Sequence, residues 1–427
     1  MITAVHTDDR HQLLVQDLER QLMHWLAASR MFRRADEFAS RVAWSSVEDE
    51  IGVPLRREIH RIVEELIDLG EATGELIERA KQNPDLIEEA GKGIQRFRTR
   101  FSQVETTLDF LGDAVNSRTS SSLRALLSNL DRMAFQSMKP VLDRAGIQTP
   151  PVLVYQDKGL GASIIRAGVR LWAPGSVMPV AAVKIVRHNL YRPTSLFHES
   201  GHQVAHLTRW VPRMKGAILR ALAQDRELQQ MWSGWASEIA ADIYAFNHTG
   251  YASVAALYDV VGDARSIQQW SLGAPHPIGW LRVLLGCAFA RVAFGQEGPW
   301  NSLETAMLTR FPVTRANETL VPLLERSHQL MPAIARACLD APMPALGGAP
   351  LHSVIDPARV SPTALNAFER EAGKQLWTSP SLRKAEGIRL VALAGLREAE
   401  DPRSATHWFE KSREWMTDRA DPAPRRI

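Results

Sequence analysis

Two long apolar repeats near the start of the 427-residue chain constrain its fold most strongly. Apolar side chains recur at alternating spacings of three and four through residues 55–80, and again through residues 87–115. This spacing places them on one face of an α-helix. The linking Lys-Gln-Asn-Pro-Asp offers Asn83 as a cap and Pro84 as a first helical residue. The sequence therefore predicts an antiparallel, coiled-coil-like helical hairpin within residues 1–120.

A second feature, Leu-Phe-His-Glu-Ser-Gly-His-Gln-Val-Ala-His, lies in the middle of the chain. In a helix, His198 and His202 are one turn apart on one face, and both imidazoles can reach one Zn²⁺ at about 2.0–2.1 Å. Glu199 then lies beside the pair, where its carboxylate can accept a proton from an attacking water. The motif alone also occurs by chance, and the alternative is a core helix with two hydrogen-bonded histidines.

The flanks of this motif favour the helix. Pro193-Thr194-Ser195 is typical of the beginning of a helix, and Pro212 is expected to end it. Gly201 costs a helix about 1 kcal/mol relative to Ala, which is tolerable where another segment must pass close to it.

A metal site needs a third ligand, and two candidates follow the motif. His206 lies eight residues after His198, about 12 Å along a helix axis, so it cannot readily share the metal.

In the later run Trp-Ala-Ser-Glu-Ile-Ala-Ala-Asp, Glu238 completes a His₂Glu set with an open fourth position, as in catalytic zinc sites. Asp242, one turn on, can accept the outer N–H of a ligand histidine. The alternative is two exposed acidic residues, but their apolar neighbours favour burial.

A third segment, Ala-Pro-His-Pro-Ile-Gly-Trp-Leu-Arg, completes an ordered set of motifs. His-Glu-x-x-His, Glu-x-x-x-Asp and His-Pro-x-x-x-x-Arg in this order resemble the gluzincin zinc metallopeptidases, particularly the group that contains the heat-shock membrane protease and the prenyl-protein endoprotease. The resemblance covers roughly residues 150–290. It implies a zincin-like domain in which zinc is bound by His198, His202 and Glu238.

The resemblance also implies the roles of further residues. Glu199 would be the general base. His276 would line the site as a donor to the developing oxyanion, and Arg282 would orient the helix that carries Glu238 and Asp242. The alternative is that Pro277 simply begins a helix, with His276 near its cap and Arg282 paired with a carboxylate on the surface or on the ligand helix.

Three β-branched or alternating runs precede the histidine motif, at residues 151–156, 163–172 and 179–187. They predict a small sheet that leads into the motif helix. In the resembled peptidases such a sheet offers an edge strand to extended substrate, and addition of a strand is a known mode of peptide binding. The alternative is a sheet that serves only the core.

Amphipathic helical patterns continue after residue 300, interrupted by the Pro- and Gly-rich residues 341–350. We therefore expect an α+β, mainly helical chain in three parts. These are a helical hairpin or bundle at 1–120, a zincin-like metallopeptidase domain at 121–345 and a C-terminal helical region at 346–427.

Composition narrows the class of protein. The 51 basic residues are scattered among 48 acidic ones, so no nucleic-acid-binding surface is indicated. Cys287 and Cys338 are the only cysteines, which does not suggest a disulfide framework. The N-terminal segment lacks the apolar core of a signal peptide, and no stretch of about 18 apolar residues predicts a membrane span. We expect a cytoplasmic protein, although specialised export stays open.

The expected function is zinc-dependent hydrolysis of peptide bonds in a protein or peptide substrate. One alternative is a coiled-coil interaction protein with a structural or vestigial zinc site, but a structural site has no need of a base such as Glu199. A second alternative is an exported toxin or effector protease. The apolar seam of the N-terminal helices can bind a partner helix or a second copy of the chain, or cover the cleft.

Overall fold

The computed structural model describes residues 7–34, 37–47, 51–157, 163–165, 180–271, 273–274 and 276–417. Contacts divide the chain into two compact units. The described residues up to 124, together with residue 180, belong to the first unit, and the described residues of 125–165 and 181–417 belong to the second. Helices dominate the described residues, and a small sheet accompanies them, so the prediction of an α+β, mainly helical chain is confirmed.

The first unit is built from long amphipathic helices. Its described helices are α1 (Thr7–Met31), α2 (Arg41–Trp44), α3 (Val53–Gln82) and α4 (Ile87–Asn116). The apolar faces of α3 and α4 are buried against each other, and α1 packs on both, so the predicted hairpin has a third helix. Asn83 caps the connection as predicted, because its side chain accepts a hydrogen bond from the backbone N–H of Asp85.

The second unit contains the sheet and the remaining helices. Most of α5 (Ser121–Arg144) belongs to it. Its other elements are β1 (Val152–Gln156), β2 (Ser163–Ile165), β3 (Ala181–Ile185), α6 (Thr194–Leu207), α7 (Val211–Ala221), α8 (Arg226–Gly234), α9 (Ala236–Thr249), α10 (Tyr251–Val261), α11 (Gly279–Phe294), α12 (Pro299–Arg310), α13 (Val321–Leu339), α14 (Pro362–Ala372), α15 (Gln375–Thr378), α16 (Pro380–Glu400) and α17 (Ala405–Thr417).

The sheet has the strand order β1-β3-β2. β1 runs parallel to the central strand β3, and β2 runs antiparallel to it. α6 packs against β2 and β3, so the sheet supports the helix that carries the histidine motif. All three predicted runs contain a strand, while residues 166–172 and residue 179 of those runs lie outside the described residues.

α9 is the central helix of the second unit. Nearly all of its side chains are buried, and it contacts α6, α7, α10, α11, α13 and α16. A helix that is apolar on nearly every side is expected in a core. Gly250, with φ +57°, ends the helix where a left-handed residue is needed. α16 packs on both α9 and α10, so the C-terminal helices complete the core around α9.

Both cysteines are buried free thiols, Cys287 on α11 and Cys338 on α13. Within the described residues, no helix combines the length and apolar character that a membrane crossing requires.

Candidate metal centre

α6 carries both histidines of the motif on one face. The centroids of the His198 and His202 rings are 4.8 Å apart. The chain leaves α6 through Arg209, whose φ of +53° lies in the left-handed region. Pro212 lies in the first turn of α7, where proline is favoured. The prediction that Pro212 stops the motif helix is therefore wrong, because α6 already ends at Leu207.

Gly201 lets α9 approach α6 closely. A Cβ at this position would lie 2.8 Å from Cβ of Tyr244 and 2.9 Å from Cα of Ala241, both on α9. Real Cβ atoms essentially never come this near, so only glycine fits without displacement. The expectation that another segment passes close to Gly201 is confirmed, and this contact sets the distance between the two helices that carry the candidate ligands.

We expect Gly201→Ala to lower the free energy of unfolding by about 1–3 kcal/mol, because the added methyl group overpacks the interface. The same change should weaken metal binding, since it separates α6 from α9. Gly216→Ala on α7 is the matched control, because its Cβ would meet only the end of the flexible Arg220 side chain at 3.4 Å. The control should be neutral or stabilising by up to about 1 kcal/mol. Equal losses in urea denaturation of the two variants would contradict this account.

Three donor side chains meet between α6 and α9. Single donor atoms of His198, His202 and Glu238 all lie within 4.8 Å of one another. Nε2 of His198 is 3.5 Å from Oε2 of Glu238, and Nε2 of His202 is 3.3 Å from Oε1 of the same carboxylate. The structure thus brings together the three residues that the sequence proposed as ligands.

The donor cluster fits a zinc ion. Ligand atoms about 2.1 Å from a tetrahedral zinc are separated by about 3.4 Å, close to the spacings between the carboxylate and the two imidazoles. Oε2 of Glu238 is buried and has no well-aligned hydrogen bond with the described residues, although three nitrogens lie 3.1–3.5 Å from it, on His198, His276 and Arg282. A buried carboxylate oxygen without a hydrogen bond is stabilised by a nearby cation. Two nitrogens and one carboxylate are also the donor set of catalytic rather than structural zinc sites.

A further contact from α9 holds each of the two histidines in place. Nδ1 of His198 lies 2.9 Å from Oδ1 of Asp242, and Nδ1 of His202 lies 3.3 Å from the hydroxyl of Ser237. Each contact leaves Nε2 of the ring directed towards Glu238. Such outer contacts fix the tautomer and orientation of a ligand histidine. The sequence suggested Asp242 for this position but not Ser237, since nothing in the motif indicates where that hydroxyl points.

Arg282 joins α11 to the acidic residues of α9. Its Nε and Nη2 donate hydrogen bonds of 2.6 and 2.7 Å to the two oxygens of Asp242. Nη2 also lies 3.5 Å from Oε2 of Glu238. The side chains of Arg282 and Asp242 are only 12% and 15% exposed, so this two-pronged pair is largely shielded from solvent.

The charges of this cluster shift its pKa values in a consistent way. Burial alone would lower the pKa of His198, but hydrogen bonds to Asp242 and Glu238 raise it to about 9. Burial would raise the pKa of Asp242, yet the charge and hydrogen bonds of Arg282 hold it below its usual range. The pKa of Glu238 is also lowered, because its contacts with the histidines outweigh burial. Both carboxylates are therefore ionised near neutral pH.

A cavity of about 280 Å³ opens beside the donor cluster. Glu199 is 7% exposed and lines the cavity together with His198 and Glu238. His276 also lines it, with Nδ1 3.1 Å from Oε2 of Glu238 and a side chain that is 69% exposed. Arg282 completes the polar wall. A molecule in this cavity would face a carboxylate and the metal donors at the same time.

His206 is exposed and lies outside the donor cluster, in agreement with the helical spacing. Sequence patterns did not indicate that α10 forms a wall of the cavity. Its contribution includes Val254, Leu257, Val260 and Val261, which carry no chemical signature beyond their apolar character.

Comparison of the chain with protein-family models, curated proteins and solved structures finds no match.

Proposed function

We propose that the chain is a zinc-dependent metallopeptidase of the zincin type. The observation that supports this most is the position of the buried Glu199 carboxylate, which lines the same cavity as the donors of His198 and Glu238. A zinc ion held by three protein ligands supplies a Lewis acid, which polarises a carbonyl and acidifies water. Peptide hydrolysis needs a base beside such a centre, and Glu199 is available for that role.

Glu199 accepts a proton from water as the water oxygen bonds to the carbon of the scissile carbonyl. The same carboxyl group then gives the proton to the peptide nitrogen as the C–N bond breaks, leaving a carboxylate and an amine. His276 reaches the cavity from its solvent-exposed side, and we assign it as the donor to the oxygen that gains negative charge. Arg282 acts through Asp242, which it holds in place beside His198.

The sheet suits an extended peptide substrate. Among the described residues, β2 pairs with β3 on one side, and α6 packs against both strands. A peptide that pairs with the side of β2 that no described strand covers would run near the helix that carries His198 and His202. Backbone pairing of this kind binds many sequences, because the hydrogen bonds involve no substrate side chain.

A structural zinc site in an interaction protein explains these features less well. Structural sites are closed by four protein ligands, whereas the described residues offer a cluster of three. A structural zinc site also needs no general base, yet the buried carboxylate of Glu199 shares a cavity with the candidate ligands.

Metal analysis tests the proposal directly. We expect the purified full chain to bind about one zinc ion, and Glu238→Ala to weaken zinc binding by more than about 100-fold, beyond the usual effect of losing an outer contact. Glu325→Ala, at an exposed position of α13, is the control and should bind zinc normally. Hydrolysis of a mixed peptide library should stop on chelation and return with added zinc. A chain that binds no zinc, or a Glu238→Ala variant that binds it normally, would exclude the proposed centre.

A further inference from the structure

A second cavity lies along α11, apart from the metal donors. Its volume of about 300 Å³ is at the lower end of the range of about 300–1,000 Å³ that is usual for small-molecule sites. Arg291 in its wall comes about two and a half helical turns after Arg282, so the two arginines project from opposite faces of α11. No described residue lines both cavities. We call the second one the Arg291–Arg336 cavity, after an arginine of α11 and one of α13 that line it.

The two arginines differ in whether a carboxylate pairs with them. Arg291 donates hydrogen bonds of 3.1 and 2.9 Å from Nε and Nη2 to Oδ1 of Asn301, and its Nη2 also pairs with Glu304, whose side chain is 13% exposed. Nη1 of Arg291 has no hydrogen bond with the described residues. Arg336 is exposed, and its side chain has neither an ion pair nor a hydrogen bond with them. The charge of Arg336 is therefore left without a counter-ion.

His328 lines the same cavity without adding to this charge. Its Nε2 lies 3.5 Å from Oε1 of Glu304. Burial and the charge of Arg291 lower the pKa of His328, so its imidazole is neutral near neutral pH. Glu304 is the one acidic residue among the described residues of the wall. Two arginines against one glutamate leave the cavity with an excess of one positive charge.

Much of the remaining wall is apolar. Ala288 and Val292 of α11 line it, together with Met331 and Pro332 of α13. Val292 is 38% exposed, so part of this apolar surface is open to solvent. An apolar group that covers it gains about 25 cal/mol for each Å² removed from water. The cavity therefore favours a ligand that combines a negative charge with a short apolar body.

The size of the excess charge distinguishes between two kinds of anion. A guanidinium group pairs well with both carboxylates and phosphates. A carboxylate carries a single negative charge, which matches the excess in this cavity. A phosphate monoester carries about −1.5 to −2 at pH 7, so part of its charge would lie uncompensated near Glu304. The charge balance therefore favours a carboxylate.

We propose that the Arg291–Arg336 cavity binds a small organic monocarboxylate. The carboxylate accepts hydrogen bonds from Arg336 and from Nη1 of Arg291, and the apolar body lies against Val292 and Met331. This site is separate from the candidate metal centre, and the proposal does not depend on the peptidase function.

Calorimetric titration of the full chain with hexanoate at low salt tests both parts of the proposed ligand. Hexanoate should bind at least about tenfold more tightly than hexanol, as expected for hydrogen bonds between charged groups. It should also bind at least about tenfold more tightly than acetate, because its longer chain buries more apolar surface. Inorganic phosphate and hexyl phosphate should both bind more weakly than hexanoate.

Substitutions locate the bound carboxylate. Arg336→Gln should weaken hexanoate binding by about tenfold, whereas Arg326→Gln removes the same charge from α13 outside the cavity and should leave the affinity unchanged. Val292→Asp should weaken binding by at least about tenfold, because its carboxylate cancels the excess charge. Val260→Asp is the matched control, since Val260 is 43% exposed and lines the cavity beside the metal donors instead.

Three outcomes would overturn the proposal: hexanoate that binds no more tightly than hexanol, an Arg336→Gln chain with the affinity of the wild type, or equal losses in the two Val→Asp variants. Inorganic phosphate that binds as tightly as hexanoate would overturn the assigned class of ligand. Neither zinc nor peptide hydrolysis enters these measurements. A chain without peptidase activity would therefore still show the carboxylate preference.

Discussion

Glu199→Gln is expected to leave zinc bound and to lower kcat for peptide hydrolysis by about 10²–10⁴-fold, the usual contribution of a general base. The amide occupies nearly the same space as the carboxylate, so the buried position keeps its packing, but it cannot accept a proton from water. Zinc content and kcat should be measured on the same preparation.

Glu325→Gln on α13 is the control for this experiment, because that residue is exposed and lies outside the cavity. The Glu325→Gln protein should keep the zinc content and the kcat of the wild-type chain. Full activity in the Glu199→Gln protein, measured with correct zinc content, would remove Glu199 from the mechanism.

Arg282→Met is expected to lower the free energy of unfolding by about 3–5 kcal/mol, because it leaves the largely buried carboxylate of Asp242 without its arginine partner. Arg326→Met provides a close comparison. Arg326 also binds two carboxylates, those of Asp225 and Glu227, but its side chain is 38% exposed against 12% for Arg282.

The Arg326 variant should lose only about 0–1 kcal/mol, because solvent screens its ion pairs. Denaturation in urea at fixed pH and salt measures both values. Similar losses in the two variants would show that Arg282 contributes as an ordinary surface charge.

Local sequence patterns predicted the helices of the hairpin and the placement of the two motif histidines on one helix face. The heptad-like spacing located α3 and α4, and Asn83 and Pro84 located the turn between them. Spacing of one helical turn placed His198 and His202 on the same face, and the structure brings Glu238 to them. The hairpin repeats and the histidine pair are encoded by residues one or two helical turns apart, where helix geometry alone determines which side chains are neighbours. Glu238 lies on another helix and was proposed from its own motif.

Contacts between distant segments could not be predicted in the same way. Ser237 contacts His202 only because α6 and α9 cross beside Gly201. The docking of α1 on the hairpin and the apolar wall from α10 likewise depend on how helices pack. Pro212 was misread because proline is compatible both with the end of one helix and with the first turn of the next.

Two contacts also bear on whether the chain can fold before the proposed metal binds. They are the close contact at Gly201 and the Arg282–Asp242 pair. The Gly201 contact holds α6 against α9, and the Arg282–Asp242 pair holds α9 against α11, and both contacts are made entirely within the chain. In small zinc-finger domains, by contrast, the ligands converge only when the ion binds, so removal of the metal unfolds the chain. Neither contact involves the proposed zinc ion, so under the proposed function the chain can fold before the ion binds.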